Sequence, residues 1–185
     1  MTEPEREPRH RLFFALWPDD ATRGRIVDAT ARQVRAAAGR TTPRENLHVT
    51  LAFLGGVRES RLAPLADAAG QIASLSFDLV LDRIEYWRRQ RILSLGPSAL
   101  PPALDELVAK LQQALGACDF ALESRPFRAH LTLARDARAP RDVARNLEPI
   151  IWRVTDLALI ESITAPQGSR YTCLQSWPLV PANPG

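Results

Sequence analysis

The chain has 185 residues, 45% hydrophobic and 24% charged, the balance of a soluble globular domain rather than a disordered or fibrous one. Its apolar runs fall far short of the roughly 20 residues that a membrane-spanning helix needs. The formal net charge is +3, and of 24 basic residues only Lys110 is a lysine. Arginine suits bidentate phosphate contacts, although a codon bias in an Ala-, Leu- and Pro-rich chain would give the same count.

Residues 1–10, MTEPEREPRH, are charged and Pro-containing with no apolar stretch behind them. They read as a flexible lead-in without a signal peptide, with His10 as surface decoration, which places the protein in the cytoplasm. Residues 11–185 then read as a single domain. RLFFALW (11–17) is a buried strand, closed by Pro18-Asp19-Asp20, a helix N-cap signal. A helix follows over 21–38 and stops at Gly39. The strand NLHVTLAFL ends at Gly55-Gly56, and a second helix runs over 59–73. Strands follow at 77–87 and 92–95, joined by the polar turn 88–90.

Pro101-Pro102 opens a third helix to Leu115, with Leu104, Leu107, Val108, Leu111 and Leu115 on one stripe. A strand at 127–133 comes next, then a polar loop over 136–149. Strands at 153–163 and 171–179, joined by a turn at 165–169, close the chain. Cys118 and Cys173 lack metal-ligand spacing and read as reduced thiols.

The chemistry lies in a repeat. His48-Val49-Thr50-Leu51 returns as His130-Leu131-Thr132-Leu133, using two of the three histidines in the chain. Strand side chains alternate, so each copy puts an imidazole and a hydroxyl on one face above an apolar underside. Each copy also ends a strand–helix–strand unit, so the two halves are alike, and facing halves would set both histidines across one cleft. Two imidazoles flanking one phosphorus can cleave a cyclic phosphodiester without a metal. One takes a proton from water and the other gives a proton to the leaving alkoxide. Thr50 and Thr132 can donate to phosphate oxygens. Arg135 is the candidate cation, but parity places it on the core side unless the strand bends near Ala134. With no CxxC, HExxH or acidic cluster beside the histidines, no metal and no cofactor is expected.

At these residues the chain resembles the two-histidine phosphoesterase superfamily, and within it the RNA 2′,3′-cyclic phosphodiesterases, also described as 2′-5′ RNA ligases. The resemblance runs from RLFFALWPDD through NLHVTLAFLGGV and PFRAHLTLARDA to SRYTCLQSWPL. Ala129 stands where many relatives carry Pro, which bears on backbone stiffness rather than chemistry. The resemblance implies an α+β fold: a bilobal, pseudo-symmetric duplication with antiparallel sheets lining a central cleft and helices outside. It implies opening of RNA-terminal 2′,3′-cyclic phosphate to a 2′-phosphomonoester by a monomer, with His48 as the acid serving O3′ and His130 as the base on water. It puts Thr50, Thr132 and Arg135 at phosphate-contacting positions. It also offers Phe13 or Phe14 on the first strand, Phe14 for preference, as a platform for the base. Two rivals stay open: 2′-5′ ligation of RNA ends as the main role, or a non-catalytic module that binds RNA ends.

Overall fold

The computed structural model describes residues 7–121, 126–140, 146–165 and 168–182. Among these, nine strands form one open sheet, with three helices packed on it. The strands are β1 (Arg9–Leu16), β2 (Arg40–Thr41), β3 (Val49–Arg58), β4 (Phe77–Trp87), β5 (Ile92–Gly96), β6 (Leu131–Arg135), β7 (Asn146–Val154), β8 (Asp156–Ala165) and β9 (Gly168–Pro178). The order is β7-β4-β5-β6-β3-β1-β8-β9, every ladder is antiparallel, and the short β2 pairs with β6.

This sheet is pinched at its middle. The β3–β6 ladder consists of one residue pair, Val49 with Leu131. On one side of the pinch lie β3, β1, β8 and β9, and on the other β6, β5, β4 and β7. The expected duplication is therefore present as two half-sheets of a single sheet.

Helix α1 (Asp20–Ala37) starts where Asp19 caps it, its carboxylate accepting from the Thr22 amide at 2.6 Å. Thr22, Ile26, Thr30, Gln33 and Ala37 form the buried stripe, and Ala38 ends the helix in a left-handed conformation. Helix α2 (Leu62–Gly70) is shorter than expected. Pro64 offers no backbone N–H, so the chain takes a 3-10 turn over Glu59–Arg61 and turns helical only at Leu62. Helix α3 (Pro102–Ala117) buries the expected five residues.

The helices cross over. Helix α1 belongs to the first half but packs on β6 and β7 of the second; α3 belongs to the second but packs on β3, and α2 touches β9. A fully buried layer lies between, including Leu12, Phe14, Leu16, Val49, Leu93, Leu95, Leu131 and Leu133. Each such aliphatic side chain is worth about 1.5–3 kcal/mol when removed from water, so this layer rather than the ladder holds the halves together. The opposite face carries a second, smaller cluster of Phe13, Ala15, Ala158 and Ile160, with Trp17 and Tyr171 against it.

Several boundaries differ from expectation. Arg9 and His10 lie inside β1, and His10 is no decoration: its Nδ1 pairs with Glu161 at 2.7 Å. Gly55-Gly56 do not end β3; Gly55 takes φ +68° and the strand runs on to Arg58, opposite Arg9. The expected strand from 153 is β8, and β7 occupies what read as a loop from 146; residues 141–145 lie outside the described residues. Pro149 and the charged Glu148 and Arg153 hid β7, and Pro is tolerated there because β7 is an edge strand. The expected turn at 165–169 includes 166 and 167, also outside the described residues. Cys118 and Cys173 are both free.

Candidate active site

His48 and His130 each stand one residue before the Val49–Leu131 pair. Continuing that antiparallel register by one residue either way sets His48 abreast of Thr132 and Thr50 abreast of His130. Val49 and Leu131 are fully buried beneath, so the four polar side chains share the opposite face. Two cavities open there: one of about 170 Å³ holds His48, Thr132 and Arg135, and one of about 280 Å³ holds Thr50 and His130.

Both imidazoles are anchored alike. Nδ1 of His48 donates to the Asn46 carbonyl at 2.7 Å, and Nδ1 of His130 to the Arg128 carbonyl at 2.8 Å. A carbonyl only accepts, so Nδ1 carries the proton and Nε2 is left for chemistry. In neutral His48, Nε2 accepts from the Thr50 hydroxyl at 3.1 Å. Gly96 makes room for the second histidine, since a Cβ there would lie 2.7 Å from the Ala129 carbonyl oxygen and 3.8 Å from the His130 Cα.

Their surroundings differ. Three aromatic rings enclose His48: Phe13 at 5.0 Å, Tyr171 edge-on at 5.2 Å, and Trp17 stacked at 5.6 Å with Arg23 on the Trp17 ring. Burial pushes the His48 pKa down to about 4, against the Asn46 carbonyl, with the charges of Arg135, His130 and Arg23 lowering it further. His130 has Trp87 at 4.5 Å and is also lowered by burial, but Glu85 works the other way. Glu85 binds Arg128 and accepts from the Trp87 indole at 3.2 Å, fixing that wall of the site.

Arg135 reaches the His face by the bend the sequence required. Ser94 pairs with Thr132 and Leu93 with Ala134, so Leu133 is an extra residue that flips the parity beyond it. The first half repeats this bulge: Ala15 pairs with Thr50 and Phe14 with Ala52, leaving Leu51 extra. Phe53 is thereby delivered to the position that Arg135 holds in the other half. It is 56% exposed and lines the cavity of Thr50 and His130 with Trp87 and Arg128.

The expected base platform is corrected accordingly. Phe14 has no exposed surface and packs beneath the sheet against Trp177, because strand parity points it to the helix side. Phe13 is on the His face but only 2% exposed, spent on covering His48. Sequence reasoning missed Phe53, Trp17, Trp87 and Tyr171. For Phe53 a signal existed, since the repeat extends to His-x-Thr-Leu-Ala-Phe and His-x-Thr-Leu-Ala-Arg. Among the described residues no three His, Cys, Asp or Glu side chains gather to hold a metal ion, and no helix is long and apolar enough to cross a membrane.

The family model of the 2′-5′ RNA ligase superfamily matches residues 18–165. The RNA 2′,3′-cyclic phosphodiesterase of Escherichia coli (strain K12) is 34% identical over 97% of this chain and 99% of its own. The crystal structure of E. coli LigT in apo form superposes with a TM-score of 0.86 at 34% identity, over 94% of this chain and 99% of that one. E. coli LigT complexed with 3′-AMP gives 0.84 at 34% identity, over 92% and 98%. The chain therefore belongs to the 2′-5′ RNA ligase superfamily.

Proposed function

We propose that this protein is a hydrolase that opens 2′,3′-cyclic phosphate at RNA ends to a 2′-phosphomonoester, using His48 and His130 and no metal. The observation that supports the reading is the register at Val49 and Leu131, which sets two imidazole–hydroxyl pairs abreast on one face. The names of the relatives agree: one is an RNA 2′,3′-cyclic phosphodiesterase, and a similar structure holds 3′-AMP.

In the reaction, Nε2 of neutral His130 takes a proton from water as the water oxygen bonds to phosphorus. The P–O3′ bond breaks in line, and Nε2–H of His48 protonates O3′. Thr50 and Thr132 donate to the non-bridging oxygens, and Arg135 meets their growing charge. His48 begins neutral because its aromatic enclosure disfavours the cation. The entering phosphate brings the negative charge that lets it hold a proton. Phe53, rather than Phe14, stacks the terminal base, with Trp87 beside it. The protein acts as a cytosolic monomer.

The test is product analysis on a 2′,3′-cyclic nucleotide in excess EDTA. Release of the 2′-monophosphate is expected; a 3′-monophosphate, or loss of turnover on chelation, overturns the reading. Adding a 5′-hydroxyl oligonucleotide to a cyclic-phosphate RNA separates hydrolysis from ligation, and hydrolysis is expected to dominate.

A further inference from the structure

The cavity of His48 and Thr132 holds a second arginine that neither the repeat nor the mechanism uses. Arg40 on β2 pairs directly with Arg135 on β6, and both line that cavity. The juxtaposition is built in. Gly39 lets the chain pass so close that a Cβ there would lie 2.6 Å from the Arg135 carbonyl oxygen and 2.8 Å from the Ala137 Cα. The Thr42 amide then donates to the Leu133 carbonyl at 2.9 Å, fixing β2 along the bulge that turns Arg135.

Like charges directly opposite on antiparallel strands repel, and proteins normally neutralise them. Other arginines here are neutralised: Arg44 pairs with Asp20 at 3.0 Å, Arg153 with Asp78 at 3.3 Å, and Arg128 with Glu85. Among the described residues the side chains of Arg40 and Arg135 form no ion pair or hydrogen bond, and no Asp or Glu lines their cavity. Its other polar walls are His48, Thr132, Asn46 and hydroxyl side chains. Two open guanidiniums facing a site with no acid make a receptor for an anion of charge near two.

We infer that Arg40 joins Arg135 in gripping the phosphate on which the two histidines act, and that it serves the second negative charge. This rests on the reading above. A cyclic diester carries one negative charge, whereas the pentacoordinate state formed by water attack carries two. The monoester product also carries nearly two at neutral pH, its second pKa being about 6. Arg135 alone balances the substrate; Arg40 balances what the substrate becomes. The same pair makes the protein retain its product and inorganic phosphate.

The experiment titrates inorganic phosphate, and separately dimethyl phosphate, into the wild-type protein, Arg40→Gln and Arg40→Lys by calorimetry above pH 7. It is paired with turnover on a 2′,3′-cyclic nucleotide. Arg40→Gln is expected to weaken phosphate binding roughly tenfold or more, as loss of a charge-assisted contact does, with Arg40→Lys recovering part. Singly charged dimethyl phosphate should lose much less, and kcat should fall more than KM rises. Phosphate affinity in Arg40→Gln within twofold of wild type, or equal losses for both probes, overturns the inference. If phosphate binding depends on Arg40 but the wild type does not open the cyclic phosphate, the inference stands and the proposed function fails. If turnover is normal and Arg40 is silent, the reverse holds.

Discussion

Val49 of β3 pairs with Leu131 of β6, and no other residue pair joins these two strands. The two histidines and two threonines of the site are oriented by this contact, because the neighbours of both residues must point away from the core. Truncating Leu131 to Ala should cost about 2–5 kcal/mol, as for other buried leucines, and should loosen both His–Thr pairs together. Thermal unfolding gives the first quantity and kcat the second. A destabilised variant with unchanged kcat would detach the catalytic geometry from this pair.

Replacing either His48 or His130 by Ala should lower kcat by about 10²–10⁴-fold, the usual worth of a positioned acid or base. Neither change should abolish binding of a 2′-monophosphate, which Arg135 and the threonines would still hold. A loss of only a few-fold in turnover would favour a module that merely binds RNA ends.

The enclosure of His48 has a pH signature in stability. Its folded pKa of about 4 lies below the unfolded value near 6.5, so the unfolded chain binds the proton more readily between the two. Stability should therefore be intact above 6.5 and decline as pH falls toward 4, by roughly 3 kcal/mol from this residue. Denaturant melts of wild type and His48→Gln across that window check it. Parallel curves would mean that His48 titrates normally.

Tyr171 closes the edge of that enclosure. Tyr171→Ala admits water to the imidazole and should move the His48 pKa from about 4 toward 6.5, read by histidine NMR titration. In the wild type both histidines titrate below their ordinary value because burial disfavours the cation. The maximum of kcat/KM, which reports the free protein, should accordingly lie on the acid side of 6.5. A maximum above pH 8 would contradict this assignment of burial.

Phe53→Ala should weaken nucleotide binding by about 1–3 kcal/mol, the worth of one stacked base, yet leave inorganic phosphate binding and stability nearly unchanged. Its side chain is more than half exposed, so the fold depends on it little. Equal losses for nucleotide and phosphate would show that Phe53 shapes the phosphate site instead.

The sequence disclosed what repeats and what alternates. His48, Thr50, His130 and Thr132 were legible because the tetrad occurs twice, and strand parity then gave their common face. The condition on Arg135 was legible too, and the bulge at Leu133 meets it. Plain alternation from His48 would point Phe53 to the core, and the matching bulge at Leu51 turns it to the His face instead. Trp17, Tyr171 and Trp87 could not be found by spacing, since the end of β1, β9 and β4 bring them to the histidines from remote parts of the chain. Edge strand β7 and two-residue β2 were hidden because neither carries a full apolar pattern.

The exchange of helices between the two half-sheets bears on how the chain can be divided. The strands β4 to β7 of the second half run contiguously from Phe77 to Val154, only the short β2 joining them from outside, while the first half is assembled from the flanking stretches. Expressed alone, either fragment would show water the apolar floor that the other's helix conceals, and would aggregate. Produced together they should reconstitute the native molecule, so a split version of this protein would report the meeting of its two pieces through regained activity.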